Sequence, residues 1–273
     1  MMNLNQKRRD AALEKELLAV EKQEKKMRQA ALNAKPAAWK TELENRIPEK
    51  VYVGLEGAFC KGFGLVFDQG RGIIEKGYNK EDIQADHSIR DFAVQVKGGR
   101  KELRKMHQSA KQSDLLNLAV TTVEGVGLGA LGVGMPDIVL FLGTLLKGVY
   151  ETALNYGFEY ESRQEQLFIL KMMQTALSTG ADWERGNSEV NEMLTLETVD
   201  ITDEDFKLQM KATAAAFAVD MVLLKFIQGL PVVGIIGGAA NPVYYTKVMK
   251  YVQLNYRKRY LLKQKSGMQA VSG

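Results

Sequence analysis

The spacing Gly127-x-Gly129-x-x-Gly132 is the first pattern in this chain that could do chemistry. Glycines so placed let a backbone approach a pyrophosphate, but that mechanism also needs a preceding strand, a helix opening at the turn and an acid about 20 residues on. Lys147 stands at that distance and both flanks read as helix, so nucleotide chemistry loses its mechanism here. No Gly-Lys-Ser/Thr is present either, which removes the P-loop. Close packing fits the glycines better. Gly125, Gly129, Gly132 and Gly134, and later Gly234, Gly237 and Gly238, are spaced so that helix backbones can meet or a tight turn can form.

Two carboxylates lie inside apolar runs. Asp137 directly follows Pro136, where capping of a helix N-terminus explains it, and Asp220 needs a cation such as Lys225. Neither sits in a base–nucleophile constellation. Cys60 is the single cysteine, which excludes an intramolecular disulfide and a cysteine-based zinc site and fits a reducing compartment. It stands in an apolar stretch with no histidine near it in sequence, as a structural thiol does. His87 and His107, the only histidines, fall on charged helices and read as surface residues. No cofactor and no metal are expected.

The remaining candidate is electrostatic. From Phe206 onward the chain has ten Lys/Arg and one acid, Asp220, a net +9 within a chain of net +4, so the preceding part is acidic. Tyr244, Tyr245, Tyr251, Tyr256 and Tyr260 interleave with Lys247, Lys250, Arg257, Lys258, Arg259 and Lys263. Such a helix could neutralise phosphates and stack bases, or lie against an anionic membrane surface, or pack its tyrosines on the protein with its lysines solvated. The uncharged stretch 226–245 beside it favours the membrane over nucleic acid.

These residues need elements to hold them, and the sequence offers helices. With 273 residues, 45% hydrophobic and 26% charged, the chain is neither disordered nor a polytopic membrane protein, and its mean hydropathy is −0.21. Five prolines leave long uninterrupted stretches. Residues 4–33 predict a charged helix docked through a narrow stripe of Leu13, Leu17, Val20, Met27 and Ala31, which Glu24 interrupts, and Pro36 closes it. A second helix is expected over 39–45. Pro48 opens the next, with Leu55, Phe59, Phe63 and Phe67 at four-residue steps. Asn79, Ser162 and Thr202 predict helix starts, Gly98–Gly99 a break, and 180–194 a polar loop with short helical turns. The last helix is expected over 242–263. No alternation of period two is sustained, so the fold class is all-α. The apolar stretches 125–146 and 226–245 could span a bilayer by length. Their acid, prolines and glycines suit buried helical hairpins better.

At these two glycine-rich segments the chain resembles the EcsC protein family. The residues that carry the resemblance are Gly132, Gly134, Pro136 and Asp137, then Tyr156–Gly157–Phe158 and Glu165 to Phe168. Near the end they are Leu230–Pro231, Gly234, Gly237–Gly238 and Asn241, then Tyr256, Arg257, Arg259 and Tyr260. Together they run from about Trp39 to Leu262, with the charged arm outside. The resemblance implies a helical cytoplasmic protein, named for a bacterial protein encoded beside an ABC exporter, and it carries over no catalytic residue.

The expected organisation is a charged helical arm over 1–35, an EcsC-like helical domain over 36–264 and a disordered tail over 265–273. The expected role is non-enzymatic, in the cytoplasm and peripheral on the inner face of the cell membrane, alongside a transporter or secretion component. Lys247, Lys250, Arg257, Lys258, Arg259 and Lys263 are the expected contacts to the anionic surface. Two alternatives stand beside this: an enzyme with Asp137, Asn241 and Tyr256 around a pocket, and a nucleic-acid binder using the C-terminal helix.

Overall fold

The computed structural model describes residues 4–34, 48–75, 77–112, 135–195, 200–227 and 240–272. Every regular element among them is helical, as the all-α expectation requires. In chain order they are α1 (Leu4–Asn33), α2 (Glu49–Leu65) with a π turn (Val66–Gly70) and the short α3 (Arg71–Glu75), and α4 (Lys80–Lys97). Then come α5 (residues 100–112), α6 (Met135–Asn155), α7 (Arg163–Leu177), α8 (Gly180–Met193), α9 (Asp203–Ile227) and α10 (Ala240–Ser272).

Local chemistry starts and stops these helices. The Asn79 side chain accepts from the Asp82 amide at 3.3 Å, and Ser162 Oγ accepts from the Glu165 amide at 3.2 Å. At α9 the box is reciprocal: Thr202 Oγ1 accepts from the Asp205 amide at 3.1 Å, and the Thr202 amide donates to Asp205 Oδ2 at 3.3 Å. Each such cap contributes about 1 kcal/mol. α6 ends in a Schellman turn, with the Phe158 amide on the Ala153 carbonyl at 3.0 Å and the Gly157 amide on the Leu154 carbonyl at 2.9 Å. Gly157 takes φ +76 there, which an L side chain resists.

Two expectations about extent change. The stretch 180–194 is one continuous helix, because Trp183, Gly186 and Val190 recur on one face and are buried. Gly186 is needed for that approach, since a Cβ there would stand 2.5 Å from Thr175 Oγ1. α10 spans Ala240–Ser272, longer than the expected 242–263, its last turns being rich in helix formers such as Lys265, Met268, Gln269 and Ala270. The predicted helix over 39–45 and the runs 125–134 and 228–239 lie outside the described residues.

α6 is the central helix and touches α2, α4 and α10, while α9 packs on α2 and α7. The four-step phenylalanines of α2 meet Phe217 of α9, with ring centroids 5.2 Å from Phe59 and 5.8 Å from Phe63. Phe141 of α6 completes the cluster at 6.1 Å from Phe217. Among the described residues one helix is long and apolar enough to cross a membrane, through the window Ile138–Asn155, and 72% of that window is buried inside the protein.

α1 docks antiparallel on α10 and also touches α8. Its stripe holds Leu13, Val20 and Ala31, all buried, with Leu17 and Met27 packed against the core. Glu16 belongs to the same stripe and is 2% exposed.

Candidate functional site

α4 ends at Gly98, whose φ of +57 turns the chain sharply, with its amide on the Val94 carbonyl at 2.8 Å. A Cβ there would stand 3.0 Å from Arg9 Cβ, so glycine lets the start of α1 lie against the end of α4. The end of α10 closes the other side, where Arg9 Nη2 donates to Gln264 Oε1 at 2.9 Å. Between them is a cleft of about 780 Å³. α1 contributes Arg9, α4 contributes His87, Asp91 and Lys97, α6 ends on it with Tyr156, and α10 brings Tyr260, Lys263 and Gln264.

The polar groups of this cleft are largely fixed. Asp91 Oδ1 accepts from Tyr260 at 2.7 Å and from Gln264 Nε2 at 2.8 Å, and its Oδ2 accepts from Gln95 at 2.7 Å. Burial, together with the bond to Asp91 and its charge, raises the Tyr260 phenol well above its usual range, so it stays a donor. His87 Nδ1 lies 3.0 Å from the Asn155 carbonyl oxygen, which can only accept, so the ring proton sits on Nδ1. Burial lowers its pKa, leaving the ring neutral near pH 7. Arg9 Nε is buried without a hydrogen-bond partner.

A second polar layer lies behind the cleft and holds α1 down. Glu16 pairs with Arg100 of α5 and Arg257 of α10, and Arg104 Nε stands 3.5 Å away. Burial would raise its carboxyl pKa, but the bonds and charges of Arg100 and Arg257 overcome that and hold it low. Beside it His107 Nδ1 lies 3.0 Å from Tyr156 Oη, and burial with the Arg257 and Lys111 charges pushes the histidine down to about 4. Both histidines are therefore half-buried and hydrogen-bonded, not the surface residues expected, because α4 and α5 turn those faces toward the ends of α6 and α10. Further along α1, Glu24 accepts from Lys258 at 2.6 Å, Asn187 at 2.9 Å and Asn191 at 2.8 Å. The acid that seemed to interrupt the stripe is a docking residue.

The C-terminal cations expected at a membrane are thus mostly occupied within the protein. Arg257 is on Glu16 and Lys258 on Glu24, Arg259 is on Glu165 at 2.7 Å, and Lys247 is on Asp220 at 2.8 Å. The partner of Asp220 is therefore Lys247 rather than Lys225. Lys250 and Lys263 remain exposed, the latter at the cleft. The tyrosines pack inward: Tyr256 is fully buried and donates to Glu165 Oε1 at 2.7 Å, and Tyr251 donates to Asn187 at 2.7 Å.

The other sequence candidates divide. Pro136 and Asp137 fall in the first turn of α6 and Asn241 in the first turn of α10. Tyr156 and Gly157 form the end of α6 beside the cleft. Gly129, Gly132, Gly134, Pro231, Gly234 and Gly237 lie outside the described residues. Asn241 and Tyr256 share one continuous helix, about 22 Å apart at 1.5 Å per residue. Cys60 is partly buried and its thiol is raised by burial and by Glu56, as befits a structural cysteine. Among the described residues no cluster of His, Cys, Asp or Glu has the makings of a metal site.

Sequence reasoning missed Glu16, Arg9 and Asp91. Only Glu16 left a signal: Leu13, Glu16 and Val20 are at helical spacing, which places the acid on the docking face.

An all-α protein whose first and last helices are clamped together by buried ion pairs around a polar cleft is the class these features define. The EcsC protein family matches this chain over residues 11–261, beginning inside α1 and so earlier than the motifs that start near Trp39. The chain belongs to the EcsC protein family. It is 30% identical over 204 residues to the protein called Protein EcsC of Bacillus subtilis (strain 168), covering 74% of this chain and 75% of that one. No solved structure matches it.

Proposed function

We propose that this protein acts without catalysis as a peripheral component on the inner, anionic face of the cell membrane, supporting a transporter or secretion component there. The observation that carries the reading is the charge around the cleft. Lys7, Arg8, Lys97, Lys101, Lys263 and Lys265 are exposed, and each is part of, or within one turn of, a residue that lines it. None of the six has an ion pair among the described residues. Phe92 and Val96, 67% and 61% exposed, sit on the same end of α4. Lysines and arginines near an anionic surface contribute about 1 kcal/mol each, and an inserted aromatic adds to that. Arg257, Lys258 and Arg259 are replaced in this role by the rim of the cleft. The transporter association rests on the family resemblance.

Sedimentation with vesicles tests the reading. The native chain should bind anionic vesicles in low salt, release in high salt, and ignore neutral ones. Lys97→Glu with Lys101→Glu should weaken binding by about tenfold or more, at about 1 kcal/mol per cation lost or reversed. Equal binding to neutral vesicles, or none to anionic ones in low salt, refutes it.

A further inference from the structure

We infer that the cleft at the junction of α1, α4 and α10 is a binding site for a phosphomonoester. The inference names the ligand class of the rim just described, and it rests on the membrane reading for a lipid headgroup as the source of that group. Free phosphomonoesters share the chemistry.

Size comes first. A volume of about 780 Å³ lies within the range of about 300–1,000 Å³ typical of small-molecule sites, and leaves room for more than a phosphate. Charge comes second. Arg9, Lys97 and Lys263 face the cleft against one carboxylate, Asp91, while His87 is neutral. Asp91 is already engaged by Tyr260, Gln264 and Gln95, so it is not free to pair with the three cations. The lining therefore carries an excess of two positive charges. A phosphomonoester at neutral pH carries about −1.5 to −2 and balances it, whereas a carboxylate or phosphodiester carries −1 and leaves a cation unmatched.

Geometry comes third. The Arg9 guanidinium is held through a chain in which Asp91 fixes Gln264 and Gln264 fixes Arg9 Nη2. A planar fork held in this way suits the oxygens of a phosphate. Its Nε is a buried donor for which the protein supplies no acceptor. The internal ion pairs elsewhere on α1 and α10 have their acids built in. This cleft sets three cations against one carboxylate that is already engaged.

The experiment uses the full chain and two probes. Glycerol 3-phosphate is titrated in low salt, followed by calorimetry or amide shifts. Vesicles of phosphatidic acid are then compared with vesicles of phosphatidylglycerol at matched surface charge. The expected result is saturable binding of glycerol 3-phosphate and about tenfold tighter binding to phosphatidic acid, with that excess competed away by the soluble ester. Arg9→Gln should abolish both effects. Lys97→Gln, at an exposed position that carries no part of the fold, should weaken both should Arg9→Gln fail to fold. No saturable binding of glycerol 3-phosphate, together with equal affinity for the two vesicles, overturns the site and leaves the membrane reading standing. Binding of the soluble ester without binding to any anionic vesicle keeps the site, assigns it a soluble ligand and removes the membrane reading.

Discussion

Replacing Glu16 by Gln removes one charge from the junction of three helices and leaves the shape almost unchanged. The consequence follows from where its partners lie. Arg100 and Arg104 have side chains 42% and 56% exposed, so water takes over their solvation and each lost pair contributes no more than about 1 kcal/mol. Arg257 is different: its side chain is 12% exposed and, without the carboxylate, becomes a nearly buried unpaired cation. Breaking such a pair costs about 3–5 kcal/mol, and the glutamine oxygen recovers part of that as an acceptor. The expected loss is about 2–4 kcal/mol, a large fraction of the 5–15 kcal/mol typical of a folded domain. Urea denaturation measures it, and Glu16→Gln combined with Arg257→Gln should cost less than the sum of the two by more than about 1 kcal/mol. Arg28→Gln provides the contrast, because Arg28 and Glu184 are 59% and 37% exposed and their pair should contribute under about 1 kcal/mol. The Glu16 carboxyl titrates below 4.5, so its contribution is complete above that pH and is lost as pH falls through the folded value. The native and variant curves should converge in acid. A loss below about 1 kcal/mol at pH 7, or additive behaviour in the double variant, would refute the clamp.

His107, held at about 4 against 6.5 when unfolded, gives stability that is complete above 6.5 and lost as pH falls from 6.5 toward 4, because the unfolded chain takes up the proton first. His107→Gln should flatten the slope of stability against pH in that window, as measured by urea midpoints, and an unchanged slope would count against the burial argument. Gly157→Ala should destabilise by about 1–3 kcal/mol, since φ is +76 and the new methyl would clash with the His87 ring. A melting temperature equal to the native value would show that the turn relaxes freely.

What the sequence revealed was local. Asn79, Ser162 and Thr202 cap the helices they announce, Pro48 and Gly98 stand at the boundaries they suggest, and the four-residue steps of Phe59, Phe63 and Phe67 do face the core. Each is decided within one or two turns of chain. α8 was hidden because one buried residue per turn, Trp183 then Gly186 then Val190, is too thin a stripe among polar neighbours. The site was hidden for another reason. Glu16 and Arg257 are 241 residues apart, and Asp91 and Gln264 are 173 apart. Pairings at that distance leave no spacing to read. The uneven charge of the chain was visible, but its main use is internal: the basic last helix meets acids of α1, α7 and α9.

That internal use also bears on what remains at the surface. The cleft draws Arg9 from the first helix and Gln264 and Lys263 from the last, so it exists only while α1 is docked. Docking of α1 depends on Glu16 and Glu24, which lie one and two stretches further along the same face and hold Arg257 and Lys258. A ligand that reads Arg9 in place therefore binds only the docked form, and its apparent affinity scales with the docked fraction. By the same linkage the ligand must tighten docking by as much as docking tightens the ligand. The two ion pairs that join α10 to α1 thus contribute to binding without touching the ligand. They leave Lys7, Arg8, Lys97, Lys101, Lys263 and Lys265 as the charge that another surface can meet.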